Sequence, residues 1–352
     1  MRAPVTGPML PLAMPFAGAA STPAPSKNQN LQAARAAKED EFYTQLRDIE
    51  KELQHYKAHF SGQTVYLNCD ERHESNFFRY FFLNFHVLGL KRLIVTSYVG
   101  GTLGKAVAYT YDGQQDSIGN PDPDTVRERP ITGSGDFRSP ECVALLKEAD
   151  IVVTNPPFSL FREYINQLIT HDKKFLIVGS QNAATSNEIF PLILSGKVWL
   201  GYHSGDMKFT VPTHYAPRKT RYWVDETGQK WRSLGNVCWY TNLVHPKRHA
   251  NLGLYKTYTP ADYPTYVNYD AIEVSRVADI PVDYPGKMGV PITFLNKWNP
   301  DQYELLGTSA TLSTPMSKVV PGQKGTGRFY LKEPDGYDRL YERVVIRRKA
   351  TP

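Results

Sequence analysis

The residues best suited to chemistry are the consecutive Asn155, Pro156, Pro157 and Phe158. The Asn155 amide oxygen and the Pro156 carbonyl oxygen can both accept hydrogen bonds from an amino group, and proline keeps that backbone stiff. Phe158 offers a flat surface for a planar ring. The segment directly follows the apolar run Ile151–Thr154, which predicts a buried strand. Open α/β sheets bind ligands at the carboxyl ends of strands, which favours a functional site here, although Asn-Pro-Pro can also be a rigid exit from a strand.

Short apolar runs alternate with helical patterns around this segment. The runs predict four strands, at Thr64–Asn68, Arg92–Thr96, Ile151–Thr154 and Lys174–Gly179. Between and before them, apolar spacings of three and four predict helices at Leu46–Phe60, Asn76–Leu88, Pro140–Ala149 (with Ser139 as N-cap) and Leu160–Ile169. Alternation of this kind predicts β-α-β units and an α/β fold with a doubly wound, mostly parallel sheet.

The second half of the chain has a different character. Beyond Gly201 helical periodicity fades, and tyrosine, tryptophan, proline and basic residues become frequent, which predicts a β-rich region. We expect one hairpin at Ala106–Ile118, turning at Asp112-Gly113, and a second that turns near Asp225–Gly228.

Composition sets limits on the class of protein. The 352 residues are 41% hydrophobic, enough to bury a large core, and no apolar run approaches the roughly 18 residues of a membrane span. Three distant cysteines support neither a disulfide framework nor a thiolate metal site, so we predict a cytoplasmic protein without a metal. The net charge of +6 is a mild bias toward a polyanionic partner. Residues 1–30, rich in proline and alanine, are expected to form a disordered tail.

The catalytic candidate belongs to a longer segment with a recognisable pattern. Asp150–Phe158 resembles the catalytic segment of S-adenosylmethionine-dependent methyltransferases that act on exocyclic amines, and the chain resembles the EcoRI-type adenine-specific DNA methyltransferases in particular. Further segments that resemble this family, in the same order, are residues 40–44, 66–70, 74–78, 288–297 and 299–302. The resemblance implies a Rossmann-like methyltransferase sheet, a C-terminal β-rich recognition region and S-adenosyl-L-methionine as cofactor.

The resemblance also implies a role for each residue of the Asn-Pro-Pro-Phe segment. Asn155 and the Pro156 carbonyl would accept hydrogen bonds from N6 of adenine, holding that weakly nucleophilic amine against the cofactor's methyl group. Phe158 would stack on the target base, which must leave the duplex to be reached. The alternative for Phe158 is a core aromatic beneath the helix.

The residues that the resemblance implies for cofactor binding are Phe42, Tyr43, Thr44, Asp70, Asp136 and Phe137. Asp136 would bond the adenine amine of the cofactor, and Phe137 would pack on its ring. Asp70 would meet the methionine ammonium group, and residues 42–44 would close over the methionine part. Gly-Ser-Gly-Asp at 133–136 can also be an ordinary turn. The chain lacks the glycine loop that many methyltransferases carry after the first strand and the acid that many carry at the end of the second, so the ribose contacts stay unassigned.

A basic cluster in the β-rich region suits DNA phosphates, with a solvated surface as the alternative. Its members are Lys208, Arg218, Lys219, Arg221, Lys230 and Arg232. The basic stretch Arg339–Lys349 is predicted to be an edge strand with a basic outer face.

Together these features predict a catalytic domain at 31–205 and a target-recognition region at 206–352, which can include late strands of the catalytic sheet. The predicted function is site-specific methylation of adenine N6 in double-stranded DNA, with base flipping and with a restriction endonuclease as a potential partner. Two alternatives remain: methylation of RNA or of a protein glutamine, or a non-catalytic nucleic-acid-binding module. The DNA recognition sequence and the oligomeric state are not predicted.

Overall fold

The computed structural model describes residues 42–68, 75–98 and 106–350. Its helices are α1 (Leu46–Leu53), α2 (Asn76–Leu83), α3 (Phe85–Leu88), α4 (Pro140–Glu148), α5 (Phe161–Thr170), α6 (Phe190–Leu194), α7 (Ser309–Leu312) and α8 (Met316–Val319). Its strands are β1 (Tyr43–Thr44), β2 (Thr64–Asn68), β3 (Arg92–Thr96), β4 (Val107–Tyr111), β5 (Arg127–Pro130), β6 (Ile151–Thr154), β7 (Lys174–Ser180), β8 (Trp199–Thr210), β9 (Tyr222–Val224), β10 (Lys230–Thr241), β11 (Ile272–Glu273), β12 (Met288–Pro291), β13 (Tyr303–Thr308), β14 (Tyr330–Glu333), β15 (Gly336–Arg339) and β16 (Arg343–Arg348). Short 3₁₀ helices lie at Lys57–His59, Pro123–Thr125, Gln181–Thr185, Pro246–His249, Val277–Asp279 and Ile292–Lys297.

A large mixed sheet organises the first two thirds of the described chain. Nine of its strands follow the order β1-β8-β10-β7-β6-β2-β3-β4-β5, and β9 pairs with β10 outside that path. Strands β3, β2, β6 and β7 are parallel neighbours, and the pairings that flank them are antiparallel. The four predicted strands and the α/β class are therefore confirmed. The expectation of a mostly parallel sheet was wrong, because β4, β5, β8, β9 and β10 add antiparallel pairings on both sides.

Alternating side chains of the parallel strands divide the core between the two sheet faces. Tyr66 and Val152 pack in a cluster with side chains of α4 and α5. Val65 and Val153 pack in a second cluster with side chains of α1 and α2. Because side chains alternate along a strand, fully apolar strands covered on both faces are the expected pattern for a parallel core.

Local interactions fix the elements on either side of the Asn-Pro-Pro-Phe segment. The Ser139 hydroxyl accepts a hydrogen bond from the Cys142 amide at 3.2 Å, which confirms the predicted N-cap of α4. The Asp150 carboxylate accepts a hydrogen bond from the Thr64 amide at 2.8 Å and ties β6 to β2. After the segment, α5 packs tightly on β7, where a Cβ on Gly179 would lie 2.3 Å from the Phe161 ring.

The predicted hairpin at Ala106–Ile118 was wrong in its second strand. Gly113 has a φ of 91° and does turn the chain, but β4 ends at Tyr111 and pairs with β5, which begins only at Arg127. The Asp112 carboxylate binds the Arg92 side chain at 2.7 Å and also binds Arg127. An Asp-Gly pair signals a local turn, but it does not determine which later residues become the partner strand.

The C-terminal region contains a four-stranded sheet in the order β11-β12-β16-β13 and a β14–β15 hairpin. The prediction of an edge strand at Arg339–Lys349 was wrong, because β16 lies between β12 and β13. Two of its three arginines pair with carboxylates of the same sheet: Arg343 with buried Glu273, and Arg347 with Glu304, both at 2.7 Å. The charge pattern alone could not reveal these internal partners.

The predicted hairpin near Asp225–Gly228 is confirmed by the pairing of β9 with β10. Strands β8 and β10 both belong to the large sheet, and the expected boundary between residues 205 and 206 falls within β8. Within the described ranges, no helix has the length and apolar character needed to cross a membrane.

Candidate active site

Polar side chains join the carboxyl ends of three neighbouring strands. The Thr96 hydroxyl, at the end of β3, donates to Asn68 Oδ1 at 3.0 Å and lies 2.9 Å from the Tyr66 hydroxyl. The Thr154 hydroxyl, at the end of β6, donates to the Asn68 carbonyl at 2.5 Å. All four residues are buried, so this network fixes the relative positions of the strand ends from which the site is built.

Asn155 follows directly, and its side-chain amide is held by two acceptors. Its Nδ2 atom donates to the Phe42 carbonyl at 2.5 Å and to the Thr44 hydroxyl at 3.1 Å. A carbonyl can only accept, so the NH₂ end of the amide must face Phe42. The Oδ1 atom lies at the other end of the group. It is buried, and among the described residues it has no hydrogen-bond partner.

The remainder of the segment leads into helix α5. Pro156 is buried, and the Pro157 carbonyl accepts a hydrogen bond from the Leu160 amide at 2.9 Å, which turns the chain into the helix. Phe158 is half-buried, and its ring centroid lies 5.3 Å from that of Phe42, with the planes at 47°. The structure therefore brings Phe42, Thr44, Asn155 and Phe158 into direct contact.

Residues 42–44 reach this place because they form an added strand of the large sheet. Tyr43 pairs with Thr210 and Thr44 with Phe209 on β8. From the other side, Asn76 at the start of α2 donates its Nδ2 hydrogen bond to the Thr44 carbonyl at 2.9 Å. The segment is thus fixed to β8, α2 and the catalytic candidate Asn155 together. Asp70, which was expected nearby, lies outside the described residues.

The loop that carries Asp136 and Phe137 lies against the end of β3. Gly133 and Gly135 have φ values of 91° and 74°, in the left-handed region that favours glycine. A Cβ on Gly135 would lie only 2.0 Å from the Ser97 carbonyl oxygen, so only glycine fits at this close contact between the loop and the strand end. This close approach places the loop at the same edge of the sheet as Asn155.

Asp136 is fixed by its neighbour Arg138. The Asp136 carboxylate accepts from the Arg138 Nε at 2.8 Å and from its NH2 group at 2.6 Å, and Arg138 also bonds Glu163 at 3.2 Å. Hydrogen bonding to Asp136, together with the Glu163 charge, raises the pKa of Arg138 above its ordinary value. The same carboxylate also accepts from the Arg138 backbone amide at 2.9 Å, so three hydrogen bonds from one residue hold Asp136 in place.

Phe137 is deeply buried in the cluster on the α4 and α5 face. Its ring meets Tyr164 edge to face, with centroids 4.9 Å apart, and the Arg138 guanidinium lies 5.2 Å from its centre. Gln167 Nε2 donates to the Phe137 carbonyl at 3.0 Å. These contacts fix the ring, and its packing on a cofactor ring stays a prediction.

The predicted basic cluster lies on β8, on β10 and on the loop between β8 and β9, and three of its members make hydrogen bonds or ion pairs within the protein. Lys230 Nζ donates to the Tyr215 carbonyl at 3.0 Å. Arg232 NH1 donates to the Arg221 carbonyl at 3.1 Å, and the Arg221 guanidinium pairs with Asp206 at 3.0 Å. These three side chains support the loop that carries Arg218 and Lys219.

The other three basic residues, Lys208, Arg218 and Lys219, are exposed. Lys208 Nζ lies 5.8 Å from the centre of the Trp223 ring, and Arg218 lies 5.5 Å from that of Tyr215. Tyr215 in turn packs on Phe42, with ring centroids 6.2 Å apart. The basic surface is thus connected through two aromatic rings to the segment that holds Asn155.

Sequence reasoning missed how this site is assembled. The bond from Asn155 to Thr44 spans 111 residues, and no periodicity or motif spacing predicts such a pairing. The contacts of Asn76 and Tyr215 with the 42–44 segment were missed for the same reason. A Tyr-Thr pair followed by a helix gives no signal that it will become a strand beside β8.

Comparison with known proteins identifies the family of this chain. Residues 30–349 match the family model described as adenine-specific methyltransferase EcoRI. The chain belongs to this family. The type II methyltransferase M.EcoRI of Escherichia coli is 48% identical over 289 residues, which cover 79% of this chain and 89% of that protein. The type II methyltransferases M.MgeORF184P of Mycoplasma genitalium and M.MpnI of Mycoplasma pneumoniae are each 38% identical, over 90% of this chain and 98% and 97% of their own lengths.

Membership of the EcoRI methyltransferase family confirms the predicted function class. The chain is an adenine-specific DNA methyltransferase of the restriction–modification type. Methylation of RNA or of protein glutamine, and a purely non-catalytic role, were the alternatives, and the family match favours neither. The same comparison with solved structures found no significant match to this chain.

Proposed function

We propose that this methyltransferase transfers a methyl group from S-adenosyl-L-methionine to N6 of an adenine that has rotated out of duplex DNA, with Asn155–Phe158 as the catalytic loop. The loop lies at the carboxyl end of a parallel strand, between the 42–44 segment and the Asp136 loop. Both of these flanking segments were expected to bind the cofactor. The proposal therefore places the methyl donor and the acceptor amine on adjoining parts of one sheet edge.

One observation carries this proposal: the buried Oδ1 atom of Asn155 has no hydrogen-bond partner among the described residues, while both amide hydrogens are bound. Buried polar atoms without a partner are uncommon, because each costs about 1–3 kcal/mol relative to a bonded one. An arriving amino group would supply the missing donor. The Asn155 oxygen and the Pro156 carbonyl would then orient the N6 lone pair for attack, without reorganisation of the loop.

The residues around the loop fit the proposed cofactor. The polar and aromatic residues expected to bind the cofactor suit a zwitterionic ligand with a planar base: Phe42, Tyr43, Thr44, Asp70, Asp136 and Phe137. Of these, Phe42 and Thr44 contact Asn155 directly. When bound, S-adenosyl-L-methionine supplies an electrophilic methyl group on a positively charged sulfur, which leaves as a neutral thioether. Asp136 would accept from the amine of the cofactor's adenine, Asp70 would pair with its ammonium group, and residues 42–44 would exclude water.

Capture of the target base and of the DNA would involve the aromatic and basic residues next to the loop. Phe158 is half-buried against Phe42, so part of its ring can meet a planar base. The exposed Lys208, Arg218 and Lys219 would contact phosphates, with Arg221, Lys230 and Arg232 supporting the loop that carries Arg218 and Lys219. In this proposal residues 31–205 form the catalytic domain and residues 206–352 the recognition region, with β8 and β10 completing the catalytic sheet. A partner restriction endonuclease would cleave the same site when it is unmethylated.

The proposal is tested by transfer of labelled methyl groups from S-adenosyl-L-methionine to unmethylated duplex DNA, single-stranded DNA, RNA and bulk protein. The DNA products are digested to nucleosides and separated. We expect the label in N6-methyladenine from duplex DNA. Transfer of the label mainly to another base, to RNA or to protein would overturn the assignment of the substrate.

A further inference from the structure

We propose that Thr44 is a positioning residue that orients the Asn155 amide for catalysis, an inference that rests on the proposed role of Asn155. The Phe42 carbonyl binds one amide hydrogen of Asn155, and the Thr44 hydroxyl, 3.1 Å away, binds the other. The two acceptors belong to one short segment and meet the same nitrogen. They therefore determine which end of the amide faces the segment and the plane in which the amide lies.

The second acceptor is needed because the terminal torsion of an asparagine side chain is broad. With the Phe42 carbonyl as its only acceptor, the amide could rotate about a single hydrogen bond, and the Oδ1 atom would not have a fixed position. With Thr44 in place, the oxygen points in one direction, toward the position where an amino group would arrive. Since Oδ1 itself has no partner among the described residues, nothing else in that part of the chain holds it there.

Thr44 is itself rigidly placed. It is only 4% exposed, its backbone pairs with Phe209 on β8, and its carbonyl accepts a hydrogen bond from Asn76 at 2.9 Å. Backbone pairing and the Asn76 bond do not involve the Thr44 hydroxyl. The hydroxyl can therefore be removed by substitution while the bonds that hold the segment stay in place.

The experiment compares Thr44→Val, which replaces the hydroxyl with a methyl group, with Thr44→Ser, which keeps it. Loss of one hydrogen bond of ordinary strength predicts a single-turnover methylation rate about three- to tenfold below wild type for Thr44→Val, at saturating duplex DNA and cofactor. Thr44→Ser should stay within about twofold of wild type. The dissociation constant for S-adenosyl-L-methionine is measured by calorimetry for both variants, and the rates are compared at saturating cofactor, so that any contact of the 42–44 segment with the cofactor does not contribute to the difference in rate.

Thr210→Val is the matched control. Thr210 lies on β8 opposite Tyr43, and its hydroxyl accepts a hydrogen bond from Gln45 at 3.4 Å rather than from Asn155. This variant should methylate at the wild-type rate. If Thr44→Val fails to fold, judged by its thermal melt, Thr44→Ala removes the same hydroxyl without adding an apolar group, and the same rate loss is expected.

A double-mutant cycle separates this inference from the proposed function. In an Asn155→Ala background there is no amide to orient, so Thr44→Val should cause no further loss of rate. Three results would overturn the positioning role: an undiminished rate for Thr44→Val, weaker cofactor binding with a normal rate at saturation, or an equal loss in the Asn155→Ala background. If Asn155→Ala itself methylates at the wild-type rate, the proposed catalytic loop fails, which is a different outcome from failure of Thr44 alone.

Discussion

Gly135 offers a sharp test of whether the 133–137 loop positions the cofactor. Its φ of 74° is unfavourable for any residue with a side chain, and an added Cβ would lie 2.0 Å from the Ser97 carbonyl oxygen. Ordinary contact at such a position begins near about 3.4 Å, so Gly135→Ala must push the loop away from β3 by roughly 1 Å or more. Asp136 and Phe137 would move with it. Misplacement on this scale costs on the order of 100-fold in reactions that depend on positioning.

Gly133 provides the control for this substitution. It lies in the same loop with a φ of 91°, but a Cβ there would meet no atom within 4 Å. Gly133→Ala therefore carries only the backbone strain, about 1 kcal/mol in the free energy of unfolding. By calorimetry we expect Gly135→Ala to bind S-adenosyl-L-methionine at least tenfold more weakly than wild type, and Gly133→Ala to stay within about threefold. Equal cofactor affinities for the two folded variants would refute the reasoning.

Three further predictions concern stability and DNA binding. The buried Glu52 carboxylate accepts hydrogen bonds from the Tyr202 and His203 amides, at 2.6 and 2.8 Å. Glu52→Ala should therefore lower the free energy of unfolding, measured in urea, by about 3 kcal/mol or more. A loss as small as that of a surface substitution would contradict this prediction. Burial lowers the pKa of His245 to about 4, so the unfolded chain binds a proton that the folded protein does not as pH falls below about 6.5. The stability contributed by neutral His245 should be complete above that pH and about 2 kcal/mol smaller at pH 5, and urea unfolding of His245→Asn should lack this loss. Replacing Lys208 and Lys219 by alanine should weaken DNA binding for all sequences and make the slope of log affinity against log salt concentration about 1.8 less steep. An unchanged slope would show that the two lysines do not contact phosphate.

The local parts of this fold could be predicted from sequence because their signals are local. The runs at Thr64–Asn68, Arg92–Thr96 and Ile151–Thr154 are short, apolar and bounded by polar residues, and each forms a strand with those bounds. Ser139 before Pro140 marks the start of a helix through chemistry that needs no distant partner. The family resemblance then supplied the function class, which pattern alone would have left open.

The parts that failed depend on partners distant in the chain. The basic strand Arg343–Arg348 is an interior strand in which Glu273 and Glu304 pair with Arg343 and Arg347, and the spacing of the arginines cannot reveal these partners. Lys230 bonds the Tyr215 carbonyl, a contact that its position in the sequence does not reveal, and its expected contact with phosphate stays a prediction. The orientation of Asn155 depends on Phe42 and Thr44, more than 100 residues earlier. Such contacts follow from the pairing of whole strands rather than from any local motif.

The most direct test of the catalytic assignment is the rate and cofactor affinity of Asn155→Ala, measured on one preparation. Removal of a preorganised acceptor should lower the single-turnover methylation rate on duplex DNA by about 100-fold or more. The dissociation constant for S-adenosyl-L-methionine should stay within about threefold of wild type, because Asp136 and Phe137 are untouched. Asn155→Asp, which keeps an acceptor oxygen, should retain more activity than Asn155→Ala. A wild-type methylation rate in folded Asn155→Ala would show that the catalytic centre lies elsewhere.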